Sequence, residues 1–229
     1  MQQATGTAID GVTVAIDADA VHVHSERPLH TLSSAVVGGG FETTRDVLNV
    51  HVRDDYDGAS PAGDLAAFAA SRGVEGGFIG LMTAAETQYA CAETAEEGGL
   101  VVTAVVSVGL SNVAAAGVTP PAPPLPGTIN AVVLVDGALT PAAMVNAVIT
   151  VTEAKALALA EWDVRTPDGD LAAGTSTDSV VVACTGAGPL LEYAGTATTV
   201  GWLTARAVRG AMSRICRDKC ARDGGRFGW

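Results

Sequence analysis

Apolar and polar residues alternate over 12–16 and again over 20–24, two short runs separated by Asp17, Ala18 and Asp19. A period of two in paired runs predicts a β-hairpin. Residues 30–37 form a further β segment, stopped by Gly38-Gly39-Gly40, and 46–52 (DVLNVHV) alternate as a half-buried strand does. The period then changes. Pro61 opens an Ala- and Leu-rich helix to Arg72, closed by Gly73, with proline at the start and glycine past the end. Residues 77–82 predict a short apolar strand, and 83–91 a helix with Thr83 as N-cap. The β-branched run 100–109 (LVVTAVVSVG) predicts a central strand. Two more apolar strands follow at 129–135 and 178–184, separated by a helix from Pro141 to about Trp162 with Thr140 as N-cap. Five prolines in 118–127 predict an extended surface loop, and Thr166 to Asp170 a polar turn. A last helix spans 198–217, with Trp202, Leu203, Ala207 and Val208 as its apolar stripe. Strands and helices mix without strict alternation. That predicts an α+β fold, one domain over 1–216 with a mixed β-sheet packed by helices, and a polar tail over 217–229.

Composition narrows the function classes. The 229 residues are 48% hydrophobic but only 4% aromatic, so the core must be aliphatic. A net charge of −12 argues against nucleic acid and anionic membranes as partners. The positive charge is carried by eleven Arg and only two Lys, Lys155 and Lys219. Acidic excess with almost no Lys predicts a cytoplasmic protein of a salt-loving organism, in which salt screens carboxylate repulsion. No signal-peptide pattern opens the chain, and its apolar runs are broken short of a membrane span. The four Cys, at 91, 184, 216 and 220, lack zinc-type spacing.

Small polar residues recur at the ends of the apolar segments between Pro126 and Thr198. Burying such groups without partners costs roughly 1–3 kcal/mol each, and their repetition suggests a site built on a rigid scaffold. These segments carry a resemblance: LSSAVVGGGF (32–41), VLNVHV (47–52), GLMTAA (80–85), VTAVVSVGLSNVAAAG (102–117), PGTINAVVLVD (126–136), VNAVITVTEAKALAL (145–159), GTSTDSVVVA (174–183) and YAGTATTVG (193–201). In this order they resemble the adenosylcobinamide amidohydrolase family of archaeal corrinoid salvage. The resemblance implies hydrolysis of the amide joining aminopropanol to a corrin propionate, giving adenosylcobyric acid. It implies a corrinoid substrate; no cofactor and no metal are expected beside it, since the residues offer no evident ligand set, and self-association is left open. A non-catalytic corrinoid-binding protein would need the same pocket, and an oligomerisation domain none. The resemblance assigns no catalytic residues; those are read from their chemistry.

Glu153 and Lys155 lie two positions apart on the long helix, about 200° around its axis, so at most one faces a site. Glu153 is the candidate general base, against an ordinary solvated helix face. Lys155 is a candidate oxyanion stabiliser, since a compact ammonium in an apolar helix of a Lys-poor chain is unusual. Asp178 would orient a base or a hydroxyl, with Thr177 or Thr175 as an alternative hydroxyl nucleophile; turns use the same residues to satisfy local backbone. Ser111, Asn112, Thr128, Asn130 and Asn146 are candidates for the amide-rich substrate, against simple strand-end capping. Gly39 and Gly40 would admit a flat ligand close to the backbone, or serve only a turn. His22 and His24 point the same way along a strand at a spacing able to bind metal, but no third ligand is evident in the sequence.

Overall fold

The computed structural model describes residues 3–122 and 127–222. The centre of the proline-rich loop and the tail beyond 222 lie outside them. Among the described residues, nine strands form one mixed sheet in the order β1-β2-β3-β12-β9-β7-β6, with β4 beside β3 and β5 beside β4. They are β1 (Gln3–Gly6), β2 (Val12–Ile16), β3 (Ala20–Ser33), β4 (Gly40–His51), β5 (Phe78–Thr83), β6 (Cys91–Glu97), β7 (Leu100–Val108), β9 (Ile129–Val135) and β12 (Ser179–Cys184). Two-stranded ribbons pair β8 (Val113–Ala114) with β11 (Gly174–Thr175), and β10 (Ala138–Leu139) with β13 (Leu190–Leu191). The described residues also hold three α-helices: α1 (Pro61–Ser71), α2 (Pro141–Glu161) and α3 (Thr199–Arg222).

The sheet doubles over because β3 changes partners along its length. Its first half pairs with β2, its last residues with β12, and β4 follows it throughout, with a register shift between His24 and Leu29. Alternation then sorts the side chains into three cores. Val14, Val23, Val47, Ile79 and Leu81 meet Val105, Val132, Leu134 and Val181 between the two halves of the sheet. The opposite faces of β7, β9 and β12 pack against Ala147, Val151, Leu159, Leu203, Val208 and Met212 of α2 and α3. The outer faces of β3 and β4 pack Ala20, Leu48 and Val50 against Leu65 and Ala69 of α1. The layers are therefore helix, sheet, sheet, helices, and the α+β expectation holds.

Two local expectations are corrected. Residues 83–91 do not form an α-helix: Thr83 ends β5, a single 3-10 turn spans Thr87–Tyr89, and Cys91 starts β6. The Thr83 hydroxyl does accept from an N–H two residues on, that of Ala85, but as a turn rather than a helix cap. Strand β6 (CAETAEE) is too acidic to read as a strand, yet at the sheet edge those charges suit it and discourage further pairing. The expected C-terminal helix also extends five residues further, to Arg222.

Candidate active site

Helix α2 starts at Pro141, with the Thr140 hydroxyl accepting from Ala143 N at 3.1 Å. It is long and apolar enough to cross a membrane by length and composition, but its stripe Ala143, Ala147, Val151, Ala154 and Ala158 is buried in the core. Lys155 lies on that buried side and ion-pairs with Asp178, which precedes β12. The two side chains are 11% and 12% exposed, enough shielding for the pair to be held rather than dissolved in solvent. Asp178 accepts four hydrogen bonds: from Lys155 Nζ and Thr175 N on Oδ2, and from Ile129 N and Thr175 Oγ1 on Oδ1. Position 174 must be glycine for this, because a Cβ there would overlap the Asp178 carboxylate and the Lys155 ammonium.

A chain of hydroxyls and amides continues from the ion pair. Thr177 Oγ1 donates to Gly127 O at 2.7 Å and accepts from Asn112 Nδ2 at 3.3 Å. Asn112 Nδ2 also donates to Ser176 Oγ at 2.9 Å, while the β8–β11 ribbon holds the two segments side by side. Thr128 Oγ1 lies 2.8 Å from Thr177 O and 3.1 Å from Asn130 Oδ1. Gly127 has φ 149°, and a Cβ there would overlap the Ser111 hydroxyl. Asn130 shares the phase of Val132 and Leu134, so it points between the two halves of the sheet. There its Nδ2 donates to Asn49 Oδ1 at 2.8 Å and to Met82 O at 2.9 Å, and Asn49 Nδ2 donates to Ser107 Oγ at 2.9 Å.

The structure thus gathers Ser111, Asn112, Thr128, Asn130, Lys155, Thr175, Thr177 and Asp178 at one end of β7, β9 and β12. The other candidates lie apart. Glu153 is on the exposed side of α2, in a row with Val145, Ile149 and Leu157, the last three 47–56% exposed. Asn146 is nine residues before Lys155, about 13.5 Å along the helix axis at 1.5 Å per residue. Gly39 and Gly40 form the β3–β4 turn, where Gly40 has φ 91° and open space around it. Asn49 and Ser107 are the members sequence reading missed. Their signal was a polar residue in the inward phase of an otherwise apolar strand.

Two clefts open beside the cluster. One, of about 340 Å³, is lined by Ala85, Gly109, Ser111 and Gly127, with Lys219 and Arg222 of α3 at its side. The other, of about 530 Å³, runs along Asn112–Ala122 with Thr166, Asp168 and Ser176. Ser111 lines both. Of the cluster and its neighbours, Ser111, Asn112, Ser176 and Gly127 line the clefts, and hydroxyls and a side-chain amide there can hydrogen-bond an amide substrate.

Comparisons with known proteins give the family. Residues 7–224 match the family model described as adenosylcobinamide amidohydrolase. The chain is 30% identical over 177 residues to a Methanosarcina mazei protein named adenosylcobinamide amidohydrolase, covering 73% of this chain and 80% of that one. It is 38% identical over 134 residues to a Halobacterium salinarum protein of the same name, covering 53% of this chain and 54% of that one. Among solved structures, the PH0078 protein of Pyrococcus horikoshii OT3 matches with a TM-score of 0.50 at 11% identity, over 94% of this chain and 82% of that one, a likeness of fold alone. With a match across nearly its whole length, the chain belongs to the adenosylcobinamide amidohydrolase family.

Proposed function

We propose that this protein hydrolyses the amide that joins aminopropanol to the corrin ring of adenosylcobinamide, releasing adenosylcobyric acid and 1-aminopropan-2-ol, in the cytoplasm of a salt-adapted cell. Family membership supports the substrate. The observation that carries the mechanism is the Lys155–Asp178 pair leading through Thr175 to Thr177, whose neighbours Asn112, Ser176 and Gly127 line two clefts.

Three threonine hydroxyls stand in the cluster, and they are not equivalent. That of Thr175 donates to Asp178 Oδ1. Thr128 is 3% exposed, too enclosed to meet a substrate. Thr177 is half-buried, and Asn112 Nδ2 and Gly127 O fix its oxygen from two sides. Thr177 Oγ is therefore assigned as the nucleophile. Its oxygen bonds to the substrate carbonyl carbon, the carbon–nitrogen bond breaks, and the hydroxyl proton ends on the departing amine. Water then adds across the ester, restoring Thr177 and freeing the corrinoid acid. Asn112 Nδ2, whose two N–H groups go to Ser176 Oγ and Thr177 Oγ1, holds the attacking oxygen in place. Lys155 and Asp178 position the turn that carries Thr177.

The reaction is assigned to protein groups, because the one carboxylate of the cluster already accepts four hydrogen bonds and has no lone pair to spare for a cation. The test is an end-point assay at high salt with adenosylcobinamide and chelator, scoring adenosylcobyric acid by chromatography. Product supports the reading. A folded protein that retains cobinamide and releases no aminopropanol over hours would instead be a corrinoid-binding protein.

A further inference from the structure

His22 and His24 of β3 acquire in the folded chain the third ligand that the sequence does not reveal. His24 and Asp46 are directly opposed in the β3–β4 register, and His22 is one diagonal step away, opposite Leu48. His22 Nε2 and His24 Nδ1 each lie 2.8 Å from the same oxygen, Asp46 Oδ1. All three donor atoms fall within 4.8 Å of one another, the one such trio of His, Cys, Asp or Glu among the described residues. The backbone holds Asp46 firmly. Its N–H donates to Thr44 Oγ1 at 3.2 Å, and that hydroxyl donates to Gly77 O at 2.6 Å. The register shift that follows His24 ends the straight part of the ladder at the same place.

We propose that His22, His24 and Asp46 form a structural divalent-cation site of the zinc type. Two imidazoles and one carboxylate are a borderline-soft donor set that suits zinc better than magnesium or calcium. The donors sit at hydrogen-bond spacing. They need to part by about half an ångström to surround an ion at about 2.0–2.1 Å, a movement within side-chain torsion. Asp46 is only 10% exposed and His24 48%, so the carboxylate anchors the site from within and a water completes the shell from outside.

The site stands apart from the hydrolytic cluster. Asp46 and Asn49 are three residues apart on β4 and so point to opposite faces. Asn49 joins the network between the sheets, while Asp46 lies on the outer face with Leu48, beside α1. Neither cleft beside Thr177 is lined by the trio. A bound ion would clamp β3 to β4 and leave the chemistry to the other face.

The experiment uses the full chain, stripped with chelator, freed of it, and titrated calorimetrically with Zn2+ at high salt. Binding of one equivalent is expected, with a rise in Tm as Zn2+ increases, since an ion that binds only the folded chain stabilises it. His24→Gln, at the more exposed ligand, and His22→Gln should each weaken binding at least about tenfold. Both should keep the zinc-free Tm and wild-type turnover. Equal zinc binding by the wild type and the His22→Gln, His24→Gln double variant would place the ion elsewhere and overturn the proposal. Turnover that disappears with zinc and returns with it would overturn the structural role.

Discussion

Lys155 reaches from the buried side of α2 to Asp178 at the mouth of β12, and Gly174 lies directly beneath the contact. Both charges are largely shielded from water, so the pair is worth most as a device for position. Asp178 ties α2 to β9 through Ile129 N and to the Thr175 turn through two further bonds. One ion pair thereby holds three elements around Thr177.

Removing one partner leaves the other charge buried and unpaired. Lys155→Met or Asp178→Asn should each destabilise the fold by about 3–5 kcal/mol. The double variant should recover much of that stability, while turnover stays low in all three. Denaturant midpoints together with aminopropanol release check both halves. Full turnover in a stable double variant would show that the pair positions nothing the reaction needs.

Gly174→Ala places a methyl group into the carboxylate and ammonium. The expected cost is about 1–3 kcal/mol of overpacking, with a fall in kcat larger than any change in KM. Gly40→Ala, with open space at Cβ, should cost only the strain of its φ of 91° and leave kcat unchanged.

Much of the frame was legible in the sequence. The proline-to-glycine span of α1, the Thr140 cap of α2 and the apolar runs of β7, β9 and β12 follow from local chemistry. So did most of the cluster, because Ser111, Asn112, Thr128, Asn130 and Asp178 all sit at the ends of those runs. What the sequence hid was set by long-range pairing. Strand β6 is acidic and becomes a strand through β7. Asn49 belongs to the network only because the sheet doubles over and brings β4 against β9. Asp46 meets His22 and His24 through register alone. Which side of α2 faces the core was hidden too: Glu153, the candidate base, lies on the exposed side and Lys155, the candidate oxyanion stabiliser, on the buried one.

Burial pushes the Cys216 thiol up to about 11, and raises those of Cys184 and Cys91 as well. Cys220 is only half-buried. Iodoacetamide at about pH 8 should therefore modify Cys220 alone in the native protein, since the thiolate is the reactive form. Peptide mass spectrometry reads the result. Modification of Cys216 at a comparable rate would mean that the end of α3 opens readily.

Asp17, in the β2–β3 turn, pairs with Arg72 just past α1 at 2.8 Å. Burial by itself raises its carboxyl, but hydrogen bonds from Arg72 and from the N–H groups of Ala20 and Asp19 outweigh this and hold it below the usual range. A carboxyl lowered on folding contributes stability above its unfolded value, and that contribution is lost as pH falls through the lowered value. Asp17→Asn should cost up to about 1 kcal/mol at neutral pH. The difference should vanish in acid, as urea midpoints at fixed salt across the carboxylate range would show.

The most direct test of the account compares aminopropanol release from adenosylcobinamide by the wild type, Thr177→Ala, Thr177→Ser and Glu153→Gln. Each protein is assayed at high salt after its fold is confirmed by circular dichroism. Loss of the attacking hydroxyl should lower turnover by at least about a hundredfold in Thr177→Ala. Thr177→Ser should retain measurable activity, and Glu153→Gln, on the exposed side of α2, should match the wild type. Wild-type turnover by a folded Thr177→Ala, or its loss in a folded Glu153→Gln, would contradict the assignment and return the reaction to a base on the other side of the helix.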